Sequence, residues 1–435
     1  PSQAAFTWAQ AQGFEANRYT LLGLNHSLEI HKNLSNQSSV FYSYLDHYEP
    51  RPFNILDEFT NAYGFRTVFE GTYGTAETKP GYTLGAELFK DEYHWGTFEN
   101  LYEENDGNGS LQGDALSDNR EFRRQFFAFG TFEMALAPSF TAQLALTLNK
   151  TNYDFRDLFN TGAGNRSASR SFDPILLPSL DLEYRYNQSL RFHGNISRGF
   201  SNPSLEETLT PDGVINPDIE QEKGISYELG TVVTKKKWAL STTFYRMDIR
   251  NLLVAERVGQ DQFIGRNAGK TRHQGLELDA SMVVALGTKT TLSPFLSYTF
   301  SDHAFARFID GDNDYSGNPL TGVPKHRFNA GWRLEHARAF YWSLSAQHVG
   351  AIPLTDANSL QSDAFTLLNS RMGYRRKIGS ALSLGVDAGI NNLTDTRYAS
   401  SVLINAVGFG GSEPRYYYPG NDRNLYAGLE LRYEW

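Results

Sequence analysis

The sequence predicts an all-β protein, a transmembrane antiparallel β-barrel. Three observations predict this fold class: segments of about ten residues alternate apolar and polar side chains, short turns alternate with long polar loops, and no stretch of about 18 apolar residues occurs. The third observation excludes a transmembrane helix. It leaves a membrane-spanning strand open, because such a strand needs apolar residues only at every second position.

The last segment shows the alternation most clearly. Counting back in twos from Trp435, every residue as far as Leu425 is apolar or aromatic. The residues between them are charged or small, apart from Tyr426. A period of two places the two sets on opposite faces of one strand. A soluble sandwich strand has the same pattern, but a membrane barrel requires such a closing strand because its last strand must pair with its first.

The order of turns and loops extends the prediction to the whole chain. About 17 strands are predicted from residue 18 to the end, including a clean interior strand at 382–391. Long loops are predicted at about 95–119, 251–271 and 302–324, the second with an extended hairpin of its own. Short turns on one rim and long loops on the other are typical of outer-membrane barrels, whereas a propeller or solenoid would repeat a fixed period.

The strand count carries a further expectation. The first and last predicted strands both run towards the short-turn rim, so the number of predicted strands is odd. A closed bacterial barrel has an even number, so at least one strand is missing from the predicted 17. Either residues 6–14 form the extra strand or the chain is a fragment. The first residues have neither a basic start nor an apolar core, so no signal peptide is present and an exported protein would have lost its beginning.

Composition excludes several function classes. The net charge is -9 and no basic tract occurs, so a nucleic-acid partner is not expected. The absence of cysteine excludes disulfides and thiolate metal sites. No GxSxG, HExxH or P-loop motif is present, so the sequence does not predict an enzyme. Aromatic residues make up 14% of the chain, which suits the interfacial girdles of a membrane barrel.

Six segments, in family order, resemble TonB-dependent outer-membrane receptors of the siderophore-receptor type, which import scarce nutrients such as ferric siderophores. They are SRGFSNPSLEE at 197–207, NPDIEQEK with YELG at 216–223 and 227–230, FYRMDIRNL at 244–252, NAGK with GLEL at 267–270 and 275–278, NNLTDTRY at 391–398, and YPG with RN at 418–420 and 423–424. Before residue 190 the chain is similar to the family only in its strand rhythm and aromatic content.

The resemblance implies a 22-stranded barrel that follows a plug domain. Nothing in this chain looks like the plug or the short TonB-contacting box. Residues 1–435 are therefore expected to be the barrel domain of a receptor without its plug and first strands, holding about 17–18 of the 22 strands and so incomplete. The closing strand would then lack its native neighbour.

The resemblance also implies a function. The chain is expected to take part in TonB-dependent uptake of a ferric siderophore or other metal chelate, as a monomer in the cell outer membrane of a Gram-negative-type bacterium. Its implied partners are the TonB-ExbB-ExbD complex, reached through the missing N-terminal region, the ferric chelate and outer-membrane lipid. No cofactor or metal of its own is implied, because the chelator supplies the iron ligands. A passive porin or diffusion channel is the alternative, because it also alternates short turns and long loops.

Two groups of candidate site residues follow. Aromatic and basic side chains near the predicted outer rim suit an anionic, arene-bearing chelate, although girdle or fold-supporting roles compete for each of them. These candidate substrate-binding residues are Tyr93, His94, Trp95, Arg307, Arg397, Tyr398, Arg415 and Tyr416. Charged residues on strands with lipid-type faces should point away from lipid, towards the plug. The candidate plug-facing residues are Arg198, Glu228 and Glu277.

The acidic run at 310–314 is the one pattern that raises the question of calcium. Its alternate carboxylates are hard oxygen ligands, but the twelfth position holds Thr321 instead of a bidentate glutamate. A plain loop is the favoured interpretation, and no metal site is predicted.

Overall fold

The computed structural model describes residues 6–73, 80–203, 219–259, 262–267, 269–310, 312–408 and 413–433. These residues form 25 strands, one short α-helix at Phe6–Ala11 and 3-10 turns at Tyr102–Glu104 and Gly162–Gly164. None of the described helices is long and apolar enough to cross a membrane. Several predicted features lie outside the described residues, namely the motif residues 204–207 and 216–218, Ala268 and the terminal Trp435.

The chain divides into two compact units. The first takes in most of residues 6–180 apart from the turn at 137–141. Its strands are β1 (Ala16–His31), β2 (Leu34–Arg51), β3 (Asn54–Thr72), β4 (Gly81–Asn100), β5 (Gln112–Ala137), β6 (Phe140–Asp157), β7 (Ala168–Ser171) and the first part of β8 (Ile175–Asn187).

The second unit takes in residues 137–141 and most of residues 181–433. Its long strands are β9 (Leu190–Ser201), β10 (Glu222–Thr234), β11 (Trp238–Arg250), β14 (Lys270–Met282), β16 (Thr290–Arg307), β19 (His326–His336), β20 (Phe340–Val349), β21 (Phe365–Ile378), β22 (Leu382–Asn391) and β25 (Asn424–Tyr433). Its short strands are β12 (Leu253–Gly259), β13 (Gln262–Asn267), β15 (Val284–Ala285), β17 (Ile309–Asp310), β18 (Asn313–Asp314), β23 (Ala399–Val402) and β24 (Tyr417–Pro419).

Each unit is built from antiparallel neighbours in chain order. In the first unit β1 pairs with β2, β2 with β3, β3 with β4 and β4 with β5. In the second unit the ladder runs from β9 through β10, β11, β14, β16, β19, β20, β21 and β22 to β25. The predicted all-β antiparallel class is confirmed. Seventeen described strands have ten or more residues, which matches the predicted number.

The alternation of side chains gives each sheet an apolar face and a polar face. In the first unit Val40, Phe65, Leu88 and Phe126 lie directly opposite one another on β2, β3, β4 and β5. All four are exposed, so they form an uncovered apolar row. In the second unit β25 carries Leu425, Leu429 and Leu431 on one face, each at least 65% exposed. Exposed leucine in such rows is what a lipid-facing sheet requires.

Several strands are longer than predicted, and the predicted loop boundaries are wrong there. β2 continues through Pro50 to Arg51, and β4 and β5 reduce the predicted loop 95–119 to residues 101–111. Polar pairs such as Thr97 Oγ1 and Ser117 Oγ, 2.6 Å apart, continue the ladder there. Cross-strand hydrogen bonds therefore extend the strands beyond the apolar part of the sequence, where hydrophobic alternation no longer marks them.

Three segments bear on particular expectations: the first described residues, the connection at 251–271 and the last strand. Phe6–Ala11 is helical, so the alternative of an extra strand at 6–14 is wrong. The predicted hairpin within 251–271 is confirmed as the pair β12–β13. The last strand pairs along its whole length with β22, from Asn391–Asn424 to Leu382–Tyr433, which places its leucines opposite apolar residues of β22.

A compact hydrophobic cluster anchors one long connection of the second unit. Phe305, Phe308 and Leu320 are buried to 8% exposure or less, and the rings of Phe305 and Phe308 lie 4.9 Å apart. Leu252, Tyr315 and Val323 pack around them. The guanidinium of Arg266 lies over the Phe308 ring, 5.5 Å from its centroid, and it donates to Asp310. This connection is thus a folded structure with a core of its own.

Candidate functional site

Two of the predicted ligand-binding aromatics lie side by side on the polar face of the first unit. Tyr93 and Trp95 are two residues apart on β4, and their rings stack at 4.8 Å with an interplanar angle of 17°. The Trp95 ring also lies 5.8 Å from Phe155 of β6. The Tyr93 hydroxyl donates to the carboxylate of Glu58 on β3. The Tyr93 and Trp95 rings form a half-buried stacked pair of the kind that packs against arenes, and the buried Phe155 ring supports Trp95.

A buried cluster of charges lies beside these rings on the same face of the sheet. Asp91 on β4 is directly opposite Arg123 on β5, and Tyr93 is directly opposite Glu121. The Arg123 guanidinium binds the Asp91 carboxylate with two nitrogens, with Nε 3.0 Å from Oδ2. Tyr153 of β6 contacts Arg123 through its hydroxyl. Asp91 and Glu121 are 7% and 5% exposed, so a single arginine compensates two buried carboxyl groups.

The cluster lies beyond the apolar band of the sheet, because the same strands carry Glu92, Arg120 and Arg124 on the opposite face at this level. Burial raises the pKa of the Glu121 carboxyl to about 7, the nearby charge of Asp91 adds to the rise, and Arg123 opposes it. Near neutral pH, Glu121 is therefore partly protonated.

His94 does not join this surface. Alternation turns its ring to the other face of β4, where Nε2 lies 2.7 Å from Asp118 Oδ1 and the ring packs 5.0 Å from Phe59. Tyr93, His94 and Trp95 were expected to lie together near an outer-rim loop. All three lie within the strand β4, and the period of two separates His94 from the other two.

In the second unit, four predicted residues lie on the connection between β22 and β25. Arg397 and Arg415 are exposed, and Tyr398 and Tyr416 are half-buried. The Tyr398 ring packs 5.0 Å from Phe365 and against Gly420, where a Cβ atom would lie 2.1 Å from the ring. Tyr398 therefore has a packing role, and the two arginines are the accessible members of this group.

Arg307 is the last residue of β16, so it lies at a strand end instead of within the predicted loop. Asp310, Asn313 and Asp314 of the acidic run that follows lie on the paired strands β17 and β18, so this part of the run is not the expected plain loop. Asp310 pairs with Arg266, and Asp314 accepts the backbone N–H of Ser316 at 2.9 Å. Across the described residues no group of three or more His, Asp or Glu side chains is arranged to hold a metal ion.

The predicted plug-facing residues do not share one face. The register places Glu228 opposite Tyr245 on the polar face of the second unit, where Glu277 also lies, and both are exposed. Arg198 is directly opposite Ile225, which puts it on the apolar face. The expectation that Arg198 turns away from that face is wrong. Ile225 is also directly opposite Asp248 of β11, so Arg198 and Asp248 lie at the same level of the sheet. Arg198 is therefore at the polar end of the apolar face, where a charge costs only about 0–1 kcal/mol.

The charged cluster was not predicted from the sequence; its members are Asp91, Glu121, Arg123 and Tyr153. Glu121 and Arg123 are two residues apart on one strand, which is a signal that both point to one face. Nothing local shows that this face meets Asp91, which is 32 residues from Arg123. Only the pairing register of β4 and β5 brings these groups together.

Comparison with known proteins identifies the architecture. The family model "TonB dependent receptor-like, beta-barrel" matches residues 1–393. The ferric citrate transporter FecA, in its unliganded form, has a similar structure, with a TM-score of 0.78, 16% sequence identity, and coverage of 97% of this chain and 62% of FecA.

Two further solved structures show the same fold. The siderophore receptor PiuA from Acinetobacter baumannii has a TM-score of 0.73 and 14% identity, with 97% of this chain and 64% of PiuA covered. The copper transporter OprC has a TM-score of 0.73 and 15% identity, with 97% and 66% covered. The chain thus spans 62–64% of the length of FecA and PiuA. At these identities the likeness concerns the fold and leaves the cargo open.

Proposed function

The chain belongs to the TonB-dependent receptor β-barrel family. From that premise we propose that it serves in the energy-coupled uptake of a metal chelate, specifically a ferric siderophore, across the bacterial outer membrane. The single observation that carries the proposal is the family match over residues 1–393. Its energy source would be the TonB-ExbB-ExbD complex, and the protein would act as a monomer surrounded by outer-membrane lipid.

The polar face of the first unit supports a chelate as the ligand. The stacked rings of Tyr93 and Trp95 offer a surface for an arene. Ferric chelates with aromatic arms would use such a surface through stacking. In the second unit, Arg397 and Arg415 are exposed cations that suit an anionic chelate.

Growth on single metal sources tests the proposal. A strain that lacks the complete gene is expected to lose growth on one metal chelate and to keep it on freely diffusing iron. Replacing Trp95 with Ala should weaken uptake of that chelate by about 5- to 100-fold, the range of a lost 1–3 kcal/mol stacking contact. His94→Ala is the matched control, because His94 lies on the opposite face of β4. Equal growth of the deleted and intact strains on every metal chelate would refute the uptake function.

The porin alternative makes a different prediction in the same strains. A passive channel would deliver its solute without TonB, whereas the proposed receptor requires it. Loss of uptake in a strain without TonB, together with wild-type uptake of small sugars, would separate the two functions. The exposed charges on the polar faces would suit ion selectivity in a pore, but the family match favours the receptor.

We also propose that Glu228 and Glu277 contact a plug domain, since both are exposed on the polar face and neither is paired with a cation in the described residues. Replacing Glu228 with Ala in the complete receptor should loosen the plug, seen as higher ion conductance in planar bilayers. Glu335→Ala is the control, because Glu335 already pairs with Arg333 at 2.9 Å. Unchanged conductance and unchanged plug stability would contradict plug contact by Glu228.

A further inference from the structure

A group of cations on the apolar face of the first unit has no part in the uptake proposal. Lys90, Arg124 and Lys150, on β4, β5 and β6, line one open groove of about 460 Å³. The floor of the groove includes the exposed row of Val40, Phe65, Leu88 and Phe126, and Tyr63 closes one side. The register places Lys90 directly opposite Arg124 and Tyr63, two residues from the apolar row on each strand. The groove is thus apolar at one end and cationic at the other.

The three cations are not neutralised by the protein. Lys150 donates to the hydroxyl of Ser171 at 2.8 Å and to the carbonyl of Phe172, both neutral groups. The Lys90 ammonium lies 5.7 Å from the ring centroids of Tyr63 and Phe122. Within the described part of the chain, none of the three cations forms an ion pair with a carboxylate.

The nearest acidic groups on this face are already paired with other arginines. Glu92 lies 3.3 Å from Arg120, and Asp154 lies 3.4 Å from Arg156. The surface around Lys90, Arg124 and Lys150 therefore has an uncompensated positive charge. A position where three cations border an exposed apolar row is the boundary between hydrocarbon and headgroups in a membrane.

We propose that this groove is a binding site for a phosphate-bearing membrane lipid, whose acyl chains lie on the apolar row and whose phosphate contacts Lys90, Arg124 and Lys150. Charge complementarity selects this occupant, because lipid phosphates meet the sheet at the level of the three cations and acyl chains at the level of the apolar row. The inference rests on the membrane location in the proposed function, but it is independent of the imported ligand.

Native mass spectrometry of the detergent-purified protein with diphosphoryl lipid A tests the site. The triple variant Lys90→Gln, Arg124→Gln, Lys150→Gln should lower the affinity about 100-fold, which corresponds to ~3 kcal/mol for three cations. The control variant replaces Lys235, Lys236 and Lys237, a three-lysine turn in the second unit, with glutamine. It makes the same change in net charge and should retain the lipid.

Several outcomes would overturn the proposal. Equal binding of dephosphorylated lipid A would show that only the acyl chains are recognised, and competition by inorganic phosphate at equal concentration would show a simple anion site. Equal loss in the control variant would show that net charge alone matters. If the triple variant does not fold, Lys90→Gln alone should cost about 5-fold in affinity, and Arg124→Lys should keep it. Uptake assays have a separate readout, so failure of this site would leave the uptake proposal unaffected.

Discussion

Replacing Arg123 with Met is expected to destabilise the first unit by about 3 kcal/mol, because it leaves the buried carboxyl groups of Asp91 and Glu121 without their shared cation. This value is at the lower end for a broken buried ion pair, since the Arg123 side chain is 37% exposed. The free energy of unfolding, measured by denaturant titration of the folded protein in detergent, checks the prediction.

An exposed ion pair on the same sheet is the matched control. Arg66 lies 3.7 Å from Glu87 and is 51% exposed, so Arg66→Met should cost less than about 1 kcal/mol. The variant Arg123→Met combined with Asp91→Asn should recover part of the loss, because it removes the charge left unpaired. Equal effects of Arg123→Met and Arg66→Met would show that the buried cluster is not held by its charges.

The same cluster gives the stability a dependence on pH. The pKa of Glu121 is raised from 4.5 to about 7 in the folded state. The contribution of protonated Glu121 to the free energy of unfolding is therefore complete below pH ~4.5 and is lost as the pH rises through about 7. The cost of Arg123→Met should therefore grow as the pH rises above about 7, where Glu121 ionises beside Arg123, and adding Glu121→Gln should remove the growth. A cost that is the same at pH 5 and pH 8 would contradict the assignment.

Replacing Phe305 with Ala is expected to cost about 3–5 kcal/mol, because the side chain is 1% exposed and its loss leaves a cavity against Phe308 and Leu320. The local consequence is loss of the folded connection that follows β16. Hydrogen exchange of backbone amides such as Gly317 N–H, which donates to the Phe305 carbonyl at 2.7 Å, should accelerate strongly.

Phe295 is the matched control for this substitution. It lies on the same strand, β16, but is 43% exposed, so Phe295→Ala should cost clearly less than Phe305→Ala. Exchange at Gly317 should then stay at the rate of the unaltered protein. Similar unfolding free energies for the two variants would show that the Phe305 cluster does not stabilise the connection.

The sequence alone predicts much of the fold. Alternation with a period of two identified the long strands, including Leu382–Asn391, because side chains on opposite faces of a strand meet different surroundings. The hairpin expected within the connection at 251–271 is present as β12–β13. The alternation of apolar and polar residues did not identify the polar ends of β4 and β5 as strand. The two strands remain paired there although the sequence has no hydrophobic pattern.

The candidate sites depended more on the tertiary structure. His94 lies between Tyr93 and Trp95 on one strand, so its side chain points to the opposite face from theirs. The sequence already contained that information. The orientation of Arg198 required the register of β9 with β10, because one residue of slip exchanges the two faces.

The sequence by itself determined the strands, their two faces and the family to which the chain belongs, since each of these depends on local order along the chain. Only the tertiary structure decided which charges meet. Asp91 and Arg123 are distant in sequence, as are Lys90 and Lys150, and strand pairing brings each set together. Register is a property of two strands at once, so a pattern within one strand does not contain it.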